Sequence, residues 1–425
     1  MKLILPTILF SCFGAAAAVV PVSDSIVAAI DQAVDGDTVL VPGPSVFHEH
    51  VIIAKSIRLV GTNSPVIDAE GTGTALTITA EDAGAQGLTI RNFGRDPGNF
   101  DSGIMITGAR VFIRDCRVIG DGFGVYVRGA ARCSIERNEI AGMTNLPSAS
   151  RGNGVHIWKS SRNRVLNNVV YDKRDGMYFS YADDNLIAGN RVWDTRFGIH
   201  YMYSHQNRLI TNSLTRNVVG ATLMFSRQSR VEGNSVCGNR RHGMVFKQLD
   251  NSSILNNIVC GQNRGLFIQQ ATQNRFEGNL IATNDIGLYL SNCSEQNIFA
   301  GNAFIHNADQ VWQPPFESNQ GRNSPNSFFE KGRGNYWSDY AGGDRNHDGI
   351  GDTPYHETDV FGYIVDRHPE ARIFALSPAV ALLRKGEELL PLLDTAGVTD
   401  IAPLIRDPFS SGLAMARTSL GRIDD

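Results

Sequence analysis

Long apolar runs are almost absent from this chain. Leu3 to Phe13 is the one such stretch, and it is too short to cross a bilayer, as is everything after it. Charge of one sign is lacking too: 39 Lys and Arg against 43 Asp and Glu leave a formal charge of −4, and without a basic face nucleic acid is not the partner. Cysteine is scarce, six in 425 residues, which excludes a disulfide scaffold in a chain of this length. Helical periodicity is missing from the whole central part, so a leucine-rich repeat with its helix fits poorly.

What the chain does have is repetition. Gly154, Gly176, Gly198, Gly220, Gly243, Gly265 and Gly287 each open a short alternating segment, at steps of 22, 22, 22, 23, 22 and 22 residues. Asn168, Asn190, Asn212, Asn234, Asn257, Asn279 and Asn302 keep the same beat. A second polar row runs five residues earlier, at Asn163, Asn185, Asn207, Ser229, Ser252, Asn274 and Asn297. Such a period is the signature of a solenoid. Within each repeat the apolar residues alternate, as in Val155/Ile157, Met177/Phe179 and Ile199/Tyr201, and period two means strands. Parallel strands stacked at about 4.8 Å place identical residues above one another, so inward asparagines can bond to each other and to turn backbone. The expectation is an all-β chain, a right-handed parallel β-helix of about 22 residues per coil.

The rest of the chain divides around that solenoid. Lys2, the apolar Leu3–Phe13 and the small residues Ala15 to Ala18 form an export signal over residues 1–18. Cys12, after Leu9-Phe10-Ser11, makes a poor lipoprotein box. The mature protein is expected to be soluble and outside the cytoplasm, with five cysteines, so at least one is unpaired. Residues 19–312 are the β-helix, begun by a short helix from Ser25 to Val34 with Ser23 or Asp24 as its cap. Cys116 and Cys133 fall in the two ladder slots as small buried residues. Around Met143 an insertion lengthens one coil, either a binding loop or tolerated variation. Residues 313–369 form an irregular cap, and residues 370–425 an amphipathic helical tail expected to dock onto something.

Candidate chemistry sits in three places. Outward strand positions gather soft and borderline metal ligands, above all His200, Met202 and Met224. His200 and Met202 are two apart on one strand, and Met224 stands one coil above Met202. Imidazole with thioethers suits monovalent copper and not zinc. The alternative is that these methionines only pack under the tail or a partner. His48 and His50 are a weaker pair of the same kind. Cys237 and Cys260 follow their ladder asparagines by three residues each, so they should stack at about 5 Å between Cα atoms. A disulfide, a thiolate pair for copper and two unlinked cysteines all remain open. Asp344, Asn346, Asp348 and Asp352 stand at positions 1, 3, 5 and 9 of a calcium-type loop with Gly349 at its turn, but Tyr355 replaces the bidentate glutamate. A metal-free turn is as good a reading. Neither outward row, at two or four residues after each glycine, holds a carboxylate, which argues against the acid pair of a glycosidase. Charges at Asp172, Arg174, Asp175, Asp183 and Asp184 read as solvated turns.

With these residues in view the chain resembles the NosD family of periplasmic accessory proteins of nitrous oxide reductase maturation. The likeness covers almost the whole mature chain. It is carried by Gly36-Asp-Thr-Val-Leu-Val-Pro42, by Leu59-Val-Gly61 with Pro65-Val-Ile-Asp68, and by the 22-residue coils. Gly334-Asn-Tyr-Trp-Ser-Asp-Tyr340 through Gly349-Ile-Gly-Asp-Thr-Pro354 adds the most specific block, and Val365-Asp-Arg-His-Pro369, Ser377-Pro378 and Asp407-Pro408 extend it. The resemblance implies a non-enzymatic role in assembling the reductase's copper centres, with a membrane ABC transporter of ATPase and permease, the reductase and a copper chaperone as partners. It implies no ligand set. The wider β-helix group includes carbohydrate-binding proteins and sugar hydrolases, so binding or cleavage of a polysaccharide is the alternative.

Overall fold

The computed structural model describes residues 17–143, 146–291, 293–313, 326–357, 364, 368–374, 377–389 and 398–409. The export signal falls almost wholly outside them. The chain winds into a right-handed parallel β-helix of about thirteen coils. Three parallel sheets of 13, 12 and 13 strands run its length. The 12-stranded sheet is broad, built of strands such as Asp175–Ser180, Phe197–Met202, Val219–Arg227 and His242–Asp250. The other two are narrow, with three-residue strands such as Leu186–Ala188 and Arg191–Trp193.

Register is strict. Met177, Ile199, Ala221, Met244, Leu266 and Leu288 are successive Cα partners in the broad sheet, and all are buried in one continuous core. The glycine row follows from this stacking. A Cβ at Gly198 would lie 2.5 Å from the carbonyl oxygen of Gly220, and one at Gly220 would lie 2.7 Å from that of Gly243, so no side chain fits the row.

Polar ladders fill the corners. Asn190 is typical: its Oδ1 accepts from the backbone N and the Nδ2 of Asn168 at 2.9 and 3.0 Å, while its Nδ2 donates to Val165 O and Asn212 Oδ1, both at 2.9 Å. Cys116 and Cys133 take ladder slots and are buried, with Asn138 and Asn163 bonding their backbone N–H groups. Burial pushes the Cys116 thiol up to about 12 and raises that of Cys133. A third ladder runs through Thr195, Asn217 and Asn239 and, after a break at Gln262 Oε1, through Gln262, Asn284 and Asn307 at the corner entering the broad sheet. It has the same period and was there to be read, three residues before most of the glycines. Below it Lys173 takes the slot, fully buried, its Nζ donating to Gly120 O at 2.7 Å and Gly122 O at 2.6 Å.

Both ends are tied down. Helix Ile26–Gln32 buries Ile26, Ala29 and Ile30, and its N-cap is Ser25, one or two residues later than Ser23 or Asp24. The Glu49 carboxylate accepts from the first turn and Lys55 Nζ donates to the carbonyls of Ile30, Asp31 and Ala33. At the other end the regular coils do not stop at residue 312: strand Tyr336–Trp337 pairs with Ala303–Phe304. Asn335 continues the asparagine ladder above Asn302, and buried Asp400 ends it, accepting from Asn335 N at 2.6 Å and Trp337 Nε1 at 2.9 Å. Trp337 lies between Phe304 and Tyr355, rings 4.5 and 4.3 Å away. The Gly334–Tyr340 block is therefore part of the core's closure.

Replacing one ladder member orphans several buried groups together. Asn190→Ala is expected to destabilise the protein by about 2–4 kcal/mol, against a few tenths for exposed Asn263→Ala. Urea unfolding of both variants measures the difference.

Candidate functional site

Three rows of side chains face outward from the broad sheet: the residue before each glycine and those two and four after it. The first of these rows escaped the sequence reading. It runs Phe123, Asn153, Asp175, Phe197, Val219, His242, Arg264, and from Asp175 onward its members are successive Cα partners in the sheet. It contains the carboxylate that the other two rows lack.

Asp175 is not a solvated turn charge. It is 1% exposed and sits in strand Asp175–Ser180. Its Oδ1 and Oδ2 accept from Arg196 Nε and Nη2, both at 2.8 Å, and Oδ2 lies 3.2 Å from His200 Nδ1. Burial opposes ionisation, but the hydrogen bonds from His200 and Arg196 outweigh it and hold the carboxyl below its usual range. Arg196 is raised in turn, chiefly by its bonds to Asp175, and its guanidinium lies 4.7 Å from the Phe197 ring centre.

His200 is also less open than its outward position suggested. Only 7% exposed, it is packed against Tyr178 and Phe197, with ring centres 5.0 and 4.6 Å away. Neighbouring elements simply rise around it: on a flat sheet face large rings one coil apart cover whatever lies between them. Tyr126, His156, Tyr178 and His200 form one row of ring contacts at 4.5, 4.9 and 5.0 Å, the first pair stacked and the other two edge to face. Burial among these rings pushes His156 down to about 4, with Asp175 partly opposing. Met202 and Met224, both half-buried, are direct Cα partners in the next row.

Buried polar atoms without a hydrogen-bond partner concentrate here. Among the described residues they include Asn153 Oδ1, His200 Nε2, Thr222 Oγ1, His242 Nδ1 and Arg264 Nε, all on this outer face. Such atoms are costly in a folded protein unless something meets them.

The other sequence candidates are arranged differently. Cys237 and Cys260 are Cα partners joined in a disulfide, with Cα atoms 4.6 Å apart, so neither offers a thiolate. They lie on the outer face of a narrow sheet but are fully buried there, in a cluster with Leu280, Ala282, Ala303 and Ile305 against which Ile258, Tyr336 and Phe409 pack. The Asp-rich turn spends its side chains on its own backbone. Asp344 accepts from Asp348 N and Gly349 N at 3.1 and 3.0 Å, Asn346 from Asp348 N at 3.2 Å, Asp348 from Ile350 N at 2.8 Å and Asp352 from Arg345 N at 2.9 Å. Tyr355, at the position a bidentate ligand would take, is buried against Trp337. His48 and His50 do not share a strand, and both ring nitrogens of His50 are taken, by Thr74 O and Thr72 Oγ1. Among the described residues no group of three or more His, Cys, Asp or Glu side chains converges as a metal site; methionine ligands are outside that count.

The fold places the chain among the parallel β-helix proteins. Solved structures of similar fold include the A-modules of the Azotobacter vinelandii mannuronan C-5 epimerases AlgE6 and AlgE4. They match at TM-scores of 0.57 and 0.55, with 17% and 13% identity, over 72% and 69% of this chain and 93% and 96% of theirs. At that identity the likeness is one of fold. Sequence narrows it: the chain belongs to the NosD family. The family described as "NosD: Periplasmic copper-binding protein (NosD)" matches residues 142–342. A "Probable ABC transporter binding protein NosD" from Stutzerimonas stutzeri is 35% identical over 360 residues, 81% of each chain. Its namesake from Pseudomonas aeruginosa is 34% identical over 375 residues, 84% of this chain and 86% of that one.

The buried ring of His156 sets a pH dependence. Its folded pKa of about 4 lies below the ordinary 6.5, so between those values the unfolded chain binds the extra proton. The stability it contributes is complete above about pH 6.5 and is lost as pH falls toward about 4. Thermal melts across that window should show a steeper acid-side loss in the wild type than in His156→Gln.

Proposed function

We propose that this protein is a non-enzymatic periplasmic accessory protein that handles monovalent copper as cargo while the copper centres of nitrous oxide reductase are assembled, beside a membrane ABC transporter. Family membership supports the copper and the compartment, since the family is described as periplasmic and copper-binding. The relatives' names support a transporter as partner. The observation that carries the reading is the outer face of the broad sheet, where paired thioethers and a braced imidazole stand in neighbouring rows within the family-matched segment. Thioether and neutral imidazole favour soft monovalent copper. Polysaccharide cleavage is disfavoured by the same face: both oxygens of Asp175 are engaged by Arg196 and His200, so it is no free member of an acid pair. Reductase purified from cells lacking this protein should be short of copper and regain it when the wild-type chain is supplied. Equal copper content in both would overturn the proposal.

The transporter contact is assigned to the C-terminal segment. Helix Pro378–Leu389 anchors Val380 but leaves Leu382 75% and Leu383 39% exposed, and Ile373 and Phe374 before it are exposed as well. Apolar side chains gathered outside a core mark an interaction surface, here for the permease. Leu382→Glu with Leu383→Glu should abolish co-purification with the permease while leaving the melting temperature within a degree or so, as exposed substitutions do. Retained co-purification would place the contact elsewhere.

A further inference from the structure

We propose that the copper cargo is held by His200 Nε2 with the thioethers of Met202 and Met224, and that Asp175 and Arg196 are positioning residues that fix which nitrogen His200 presents. The inference rests on copper being the cargo, and it assigns the site and its mechanism of selection.

The brace decides the tautomer. An ionised carboxylate only accepts hydrogen bonds, so Asp175 Oδ2, 3.2 Å from His200 Nδ1, requires the ring proton on Nδ1. In the neutral ring Nε2 is then left with its lone pair. That atom is buried and has no hydrogen-bond partner, in a side chain 7% exposed. A buried acceptor with no donor is a standing cost of about 1–3 kcal/mol unless a ligand meets it. Imidazoles that bind metals commonly donate their other N–H to a carboxylate, as here. The Thr222 hydroxyl, the register partner of His200 one coil on, is likewise buried and unpaired. Two orphans on adjacent coils mark one place where the protein's own atoms do not complete the contacts.

The thioethers stand beside it. Met202 is two residues after His200 in strand Phe197–Met202, so both leave the same face of the sheet. Met224 is the Cα partner of Met202. Ser180 below and Lys247 above flank the pair in this row, which confines its thioethers to two coils. Met202 and Met224 are half-buried while His200 lies deeper, so the sulfurs are the more accessible donors of the three.

Charge then sets selectivity. Arg196 already neutralises Asp175 through two bonds of 2.8 Å, so the carboxylate orients the histidine without adding net negative charge to the site. Two thioethers and a neutral imidazole suit a soft monovalent ion, whereas hard divalent ions want oxygen and zinc rarely takes thioethers. A three-donor site without an anionic ligand also suits cargo that must be released again.

The test is a competition titration of the full-length protein with monovalent copper against bathocuproine disulfonate, without oxygen and under reducing conditions. Wild type should take one copper per chain. His200→Ala and the pair Met202→Ala with Met224→Ala should each weaken it by about 100-fold or more, and Asp175→Asn by roughly 10–100-fold. Nitrogen-15 NMR of the histidines supplies a readout that misfolding does not mimic. His200 should carry its proton on Nδ1 in the wild type and lose that preference in Asp175→Asn, and Nε2 should shift when copper is added. Undiminished binding in the methionine pair and in His200→Ala overturns the site while leaving copper as cargo; no binding by the wild type overturns the cargo reading itself.

Discussion

The structure depends on one constraint: every coil must sit in register on the one before it. A parallel β-helix has no core in the usual sense of elements converging from several directions. Its interior is a column, and each residue's packing partner is its own equivalent one coil away. Apolar rows tolerate this easily. Corners do not, because the backbone there turns away from its neighbours and leaves N–H groups without strand partners. The asparagine ladders solve that problem by letting one side chain accept from the coil below and donate to a strand carbonyl of that same coil, as Asn190 does with Asn168 and Val165. The glycine row is the steric counterpart, since successive backbones there approach too closely for a Cβ.

A ladder must also end. At the corner entering the broad sheet the polar row runs down to Lys173, whose long side chain reaches the carbonyls of Gly120 and Gly122 where an asparagine would be too short. At the top, Asn335 and Asp400 close the central ladder, and Trp337 seals the apolar column beside it. Both devices place a charged or aromatic group where burial would ordinarily count against it, and both are justified by the donors or acceptors left over when repetition stops.

Stacking shapes the outer face as well. Large rings one coil apart touch, and what lies between them is shielded from water without being part of the core. Asp175 and His200 are buried by this route. The face thus combines the exactness of the internal register with polar groups that have no internal partner, a setting in which a ligand is bound by donors already held in place. The insertion beside it, through Arg151, adds bonds to Leu146 O and Asp172 O that fasten the longer coil to the next turn.

The sequence by itself determined the solenoid. A 22-residue period with alternating apolar residues, a glycine and two asparagines per coil leaves few other folds, because periodicity is a local property and stacking turns it directly into contacts. It also placed Cys237 over Cys260 and Met202 beside Met224, which are the same arithmetic applied to other residues. What it did not determine was how deep each outward residue lies. Depth depends on the size of neighbours one coil away and on segments distant in the chain: Phe409 packs against the cluster that holds the cysteines, Tyr178 and Phe197 pack on His200, and Asp400 reaches Asn335 across 65 residues. The row before the glycines was periodic but chemically mixed, so Asp175 looked like a turn charge. Only tertiary structure joined it to Arg196 and His200, because hydrogen bonding between side chains on different coils is fixed by their three-dimensional approach and leaves no mark on the spacing of the chain.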